Sequence, residues 1–125
     1  MRVLSSDSAA LKPEFGILSG RWSQYADVDG LPFDAMWCVV PPGSHSNEDY
    51  HPEIELAVVV EGSARIETPD NEGMTEVGAG AAVLLGSHER HVVHNGSADD
   101  PLVLLSIYWM PTNQTAQDAD PDGES

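Results

Sequence analysis

Apolar residues fall along this chain in short runs, and none of the runs keeps helical spacing over more than a turn. Segments rich in valine, isoleucine, leucine and aromatic residues lie at 21–25, 33–40, 54–61, 64–68, 81–85, 91–95 and 102–110, separated by clusters of glycine, proline, asparagine and aspartate. Each is predicted to be a strand, no long helix is predicted, and the fold class is all-β. Glu61-Gly62-Ser63 reads as a tight turn of the hairpin kind, since glycine tolerates the positive φ such turns demand. The stretches TPDNEGM and NGSADDP read as loops. The run Leu56-Ala-Val-Val-Val60 is apolar at every position, whereas a strand with one wet face alternates. It is therefore expected to be covered twice, by the interior of a sandwich or barrel and by a second subunit, and a homodimer is predicted.

Composition narrows this picture. The chain has 125 residues, enough for one domain with a proper core and too few for two of ordinary size. The longest apolar run is far below the roughly 20 residues of a membrane span, and the opening MRVLSSDSAALKPEFG has no apolar core of a secretory signal. No membrane contact is expected, and a cytoplasmic location follows by default. The single cysteine, Cys38, excludes an internal disulfide framework and reads as a small buried hydrophobe. The net charge of −16 repels phosphate backbones, so nucleic acid is not an expected partner. Asp118, Asp120, Asp122 and Glu124 give 112–125 the character of a disordered acidic tail. Residues 1–20 read as an N-terminal arm or edge strand, and 21–111 as the domain itself.

Chemistry concentrates around the strand at 54–61. From Gly43 the sequence runs five residues to Asp49, one to His51, three to Glu55 and six to Gly62. Later, Gly80 is followed after five residues by Gly86, Ser87 and His88, then after two by His91 and after three more by Asn95. These spacings resemble the two sequence motifs of the cupin superfamily, and the likeness spans about Gly43 to Asn95. Three positions depart from that pattern: Asp49 stands where a first metal-binding histidine is usual, Gly86 where proline is usual, and His88 where glycine is usual. The resemblance implies a single-domain cupin-type jelly-roll β-barrel (double-stranded β-helix) holding one divalent metal ion per chain. Zinc or Fe(II) ranks ahead of manganese or nickel.

The residues support a metal on their own account. Asp49, His51, Glu53 and Glu55 share strand parity, so side chains of Asp49, His51 and Glu55 can converge on one interior point, and His91 can join them from a distant strand. Two carboxylates buried among apolar side chains cost several kcal/mol without compensation, and no lysine or arginine is adjacent in sequence to Asp49 or Glu55. A divalent cation offsets that cost, which makes Asp49, His51, Glu55 and His91 the candidate ligands. Asp49 has two further readings, a carboxylate orienting a histidine from behind or a general base beside a metal-bound substrate; Asp49 and Glu55 are the candidate catalytic residues. His45 is a solvated loop histidine or a substitute ligand. His88 reads as a turn residue, and His94, of opposite parity to His91, is expected to face outward or into the neighbouring sheet.

If both carboxylates bind, they cancel the ion's charge and a bound water is acidified less than in an all-histidine site, which disfavours hydrolysis. If Asp49 stays off the ion, two histidines and one carboxylate remain, a set suited to Fe(II) and oxygen and equally compatible with zinc. Trp37, Tyr50, Tyr108 and Arg65 are the candidate substrate-binding residues, with Arg90 beside them as a second possible carboxylate partner. The resemblance implies a metal-dependent enzyme on a small molecule, in bacterial secondary metabolism, with the metal coordinating substrate directly. The chemistry is then oxygenase (an oxidoreductase) or Lewis-acid, of isomerase, cyclase or N–N bond-forming type. The alternatives are a non-catalytic small-molecule-binding cupin and a structural barrel with a vestigial site.

Overall fold

The computed structural model describes residues 1–7, 11–25, 28, 30–70 and 73–111. Among them, nine strands and one helical turn follow in the order β1 (Lys12–Glu14), β2 (Ile17–Arg21), α1 (Trp22–Tyr25), β3 (Asp34–Val40), β4 (Ile54–Glu61), β5 (Ser63–Glu67), β6 (Thr75–Gly78), β7 (Ala82–Leu85), β8 (Val92–Asn95) and β9 (Leu102–Trp109). A six-stranded sheet has the order β1-β2-β3-β9-β4-β7, and a three-stranded sheet the order β6-β5-β8. Every strand pairing is antiparallel. The fold is all-β, as the spacing of strands and turns predicts, and it is the jelly roll that the resemblance to cupins implies. No helix among the described residues is long and apolar enough to cross a membrane.

Register decides which side chains meet. Residues directly opposite in an antiparallel pair point to the same face, so the pairings of β4 with β7 and β9, and of β9 with β3, align rows across the large sheet. One inner row is Leu85, Glu55, Tyr108 and Asp34, and the next is Ala57, Ser106, Met36 and Arg21. A third inner row, Val59, Leu104, Cys38 and Ser19, lies deeper. Ala64 and Ile66 of β5 and Val93 of β8 close over Met36, Cys38, Val40, Val59, Leu102 and Leu104 to form one apolar core. The polar residues of the first row therefore stand at the mouth of that core. This is where the acidic segment before β4 arrives.

Two local expectations are corrected. Residues 21–25 do not form a strand: pairing ends at Arg21, and Trp22–Tyr25 is a helical turn whose Trp22 packs on Trp37, with ring centroids 5.9 Å apart. Aromatics at the first and fourth positions of WSQY suit one helical turn better than alternation. Gly62 does have positive φ, at 93°, but the turn is a corner and not a hairpin, because β4 and β5 belong to different sheets. A Cβ there would lie 2.7 Å from the Pro101 carbonyl oxygen, so the corner also needs glycine for close approach. The described residues of this chain supply the first of the two covers expected for the apolar run of β4: Ala57 and Val59 are buried on the inner face, while Leu56 and Val58 are half-buried and Val60 is 48% exposed. β1 and most of β2 lie within 1–20, read from sequence only as an arm or edge strand because KPE lacks apolar alternation and SG interrupts ILSGR, and β6 escapes the pattern because TEVG lacks alternation. The predicted tail, 112–125, lies outside the described residues.

Asn95 joins these pieces. Its amide donates to the carbonyls of Val40 at 2.9 Å and Asp100 at 2.8 Å, while its Oδ1 accepts from the Ser97 amide at 2.8 Å. Gly62→Ala should destabilise the protein by roughly 2 kcal/mol or more, since it adds both a left-handed strain and a backbone clash. Chemical denaturation measures this; an unchanged unfolding midpoint would contradict the corner's role.

Candidate metal centre

A two-residue bridge builds the site. The Asp49 amide donates to the His91 carbonyl at 3.0 Å and the His91 amide returns a bond to the Asp49 carbonyl, also at 3.0 Å. The first-motif loop is thereby fixed against the start of β8, with Asp49 and His91 directly opposite one another. Beyond Asp49 the chain bends at Pro52 and Glu53 before entering β4, so the shared parity read from sequence is carried by a bent segment and not by one continuous strand. The His88 amide, at positive φ of 62°, donates to the His51 carbonyl at 2.7 Å and fixes that bend from the second motif.

Three of the four candidate side chains gather into one group. Asp49, His51 and His91 each present a ligand atom, and these lie within 4.8 Å of one another. Glu55, 6% exposed, directs Oε1 to the same place, 3.1 Å from His51 Nε2 and 3.6 Å from His91 Nε2. The other ring nitrogens are committed: His51 Nδ1 lies 3.0 Å from the Glu53 carbonyl and His91 Nδ1 lies 2.9 Å from the Glu89 carbonyl. A carbonyl only accepts, so in each ring Nδ1 carries the hydrogen. In the neutral rings both Nε2 lone pairs then point at a carboxylate, which is unfavourable unless a cation or a proton lies between them. With a proton in that place, the Glu55 hydrogen bond drives the His51 pKa up to about 9 against the opposing effect of burial. The donor set of that group, two nitrogens oriented by backbone carbonyls with the Asp49 carboxylate, fits a divalent transition metal.

Two cavities meet here. An interior one of about 40 Å³ is lined by Cys38, Asp49, Glu55, His91, Ser106 and Tyr108 among others, and a cleft of about 170 Å³ by Phe15, Arg21, Asp34, Asp49, His51 and Tyr108 among others. Asp49 faces both. Cys38 is buried and its thiol is pushed up to about 12 by that burial, so it is the inert hydrophobe expected.

Of the four candidate substrate-binding residues, Tyr108 alone lines the cleft. It lies edge-on to His51, with centroids 5.4 Å apart, and burial raises its pKa above the ordinary tyrosine range. Trp37 is on the opposite face of β3 from Met36 and Cys38, against Trp22. Tyr50 is 50% exposed and stacks under the Arg90 guanidinium, 4.3 Å from its ring centroid. Arg65 points outward from β5 and pairs with Glu76 at 3.5 Å, because Ala64 and Ile66 take the inward positions. His45 is outside as well: its ring lies 5.1 Å from that of His94, which bonds Glu67 at 2.9 Å. Phe15, Arg21, Asp34 and Met36 also line the cleft and were not singled out from sequence. Arg21 shares the inner row of Met36, and Phe15 sits on the β1–β2 turn. Placing β2 at 17–21 would have revealed Arg21 by parity.

A family model described as a cupin domain matches residues 36–108. Among solved structures, a Cupin 2 conserved barrel domain protein from Salinispora arenicola is 27% identical, with a TM-score of 0.75 over 90% of this chain and 91% of that one. A Photorhabdus luminescens protein is 26% identical, with a TM-score of 0.71 over 92% and 91%. The polyketide cyclase RemF from Streptomyces resistomycificus, 20% identical with a TM-score of 0.70 over 86% and 78%, shares the fold.

The protonated pair has a pH signature in chelator-treated protein. The His51 pKa is raised from 6.5 to about 9, so the stabilisation is complete below the lower value and is lost as pH rises through the upper one. The melting temperature of the stripped protein should fall across that interval, and Glu55→Gln should flatten the fall. A slope unaffected by Glu55→Gln would show that His51 and Glu55 are not paired.

Proposed function

Because this chain belongs to the cupin family, whose domain model matches residues 36–108, we propose that it is a metal-dependent enzyme acting on a small molecule at the centre formed by Asp49, His51 and His91, with Glu55 as a further ligand. One divalent ion per chain is proposed, zinc or Fe(II) before manganese or nickel, given nitrogen and carboxylate donors. The observation that supports this most strongly is the convergence of two Nε2 atoms on one buried carboxylate while both Nδ1 atoms are tied to carbonyls.

When bound, such an ion supplies Lewis-acid polarisation of a coordinated substrate or, for Fe(II), oxygen activation. The protein's own groups do the rest. The Glu53 and Glu89 carbonyls hold the imidazole planes, and the edge of Tyr108 packs against His51. Asp49, facing both cavities, completes the ligand set or takes a proton from substrate in the cleft. Isomerase, cyclase, N–N bond-forming and oxygenase chemistry all fit these roles, on a small polar or aromatic metabolite of bacterial secondary metabolism. The cyclase and a predicted oxalate decarboxylase from Thermotoga maritima, at 20% and 16% identity, share the fold alone, so the reading rests on the site.

A homodimer and a cytoplasmic setting belong to the same proposal. Leu56 and Val58 on the outer face of β4 continue into Leu84 of β7, 65% exposed, and into Leu105 and Ile107 of β9, an apolar band suited to a second copy. Cys38 is an unpaired thiol, as reducing compartments favour.

Metal analysis of protein loaded with zinc or anaerobic Fe(II) should give one ion per chain, and His51→Ala or His91→Ala should weaken metal binding by about 100-fold or more while circular dichroism stays unchanged. Equal metal content in wild type and both variants would refute the centre. Ligand affinity without turnover in the loaded protein would instead assign a binding module. Sedimentation should give a dimer that Leu84→Glu dissociates, and a wild-type monomer would refute the apolar band as an interface.

A further inference from the structure

The turn between β1 and β2 has two central residues, since Glu14 pairs with Ile17. Phe15 and Gly16 both have positive φ, 57° and 79°, the geometry of a type I′ turn. Asparagine or glycine is the usual first residue of such a turn, and a bulky aromatic there is a conformational outlier. The surroundings hold it in place. The Asn47 amide donates to the Phe15 carbonyl at 2.8 Å, and Gly16 sits so close to Asn47 that a Cβ would lie 2.8 Å from its Oδ1. Asn47 is two residues before Asp49, so the hairpin is docked on the loop that carries a candidate ligand.

Phe15, 37% exposed, lines both cavities at the metal centre. It lines the cleft with Asp49 and His51, and it lines the interior cavity with Asp49, Glu55 and His91. The Arg21 guanidinium lies 5.8 Å from its ring centroid and is held by Glu14 at 3.5 Å. A glycine would make the same turn without strain, so the cost is borne for the ring. We propose that Phe15 closes the metal centre to bulk solvent and sets the size of ligand that can reach the metal. This rests on the metal-centre reading above and adds a specificity-determining residue from outside both sequence motifs.

The test uses cobalt-loaded full-length protein, with visible absorption reporting the metal. Two readouts are taken: the rate at which excess EDTA strips the ion, and the ratio of affinities for acetohydroxamate and benzohydroxamate. Phe15→Gly keeps the turn and removes the ring, and Phe15→Tyr keeps both. In Phe15→Gly, stripping should accelerate and preference for the smaller hydroxamate should relax, each on the order of tenfold. Phe15→Tyr should behave as wild type. The Phe15→Gly melting temperature should not fall, since glycine adopts this backbone freely. Equal stripping rates, or an unchanged hydroxamate ratio in the folded variant, would overturn the proposal while leaving the metal centre standing. A wild-type protein that takes up no stoichiometric cobalt would overturn the metal-centre reading and this proposal with it.

Discussion

A buried carboxylate facing two imidazole lone pairs is the constraint around which this molecule is arranged. Glu55 stands at the core entrance with no lysine or arginine in its inner row, and the His51 and His91 Nε2 atoms are its near partners. Left uncompensated, such a group costs several kcal/mol, comparable with much of a small domain's net stability. Positive charge must therefore reside between these side chains. A proton on His51 supplies part of it, and a divalent ion held there would supply more while also using Asp49.

Much of the fold can be read as the means of holding that arrangement. The Asp49–His91 bridge brings the two motifs together, the His88 amide pins the carbonyl of His51, and strand register places Glu55 and Tyr108 side by side on one inner row. Gly62 and Asn95, conspicuous by spacing, bear no ligand chemistry. They turn the chain from one sheet to the other and tie the end of β3 to the loop before β9. Motif residues thus divide into those that present donors and those that bring the donors' strands together.

The fold class was legible because strands and turns leave different residue signatures, and the gathering of Asp49, His51 and His91 was legible because parity and motif spacing survive one bend in the chain. Most other cleft-lining residues were not. Trp37, Tyr50 and Arg65 are plausible by type and strand, but which face of a strand looks inward depends on register set by partners far along the sequence. A slip in the assumed start of β2 hid Arg21, and nothing in KPEFGIL marks Phe15 as a left-handed residue over the site. Tertiary pairing, and not local propensity, decided each of these cases.

The claim at the centre of this account is that His51 and His91 bind a metal through Nε2 while Nδ1 stays protonated. Nitrogen-15 NMR of histidine-labelled protein loaded with zinc tests it directly, because shifts and long-range couplings to the ring protons report the state of each nitrogen. Two of the five rings should show a metal-bound Nε2 and a protonated Nδ1, and those signals should vanish in His51→Ala and His91→Ala respectively, while His45, His88 and His94 stay unchanged. Zinc bound with the His51 and His91 Nε2 atoms still protonated would contradict the account.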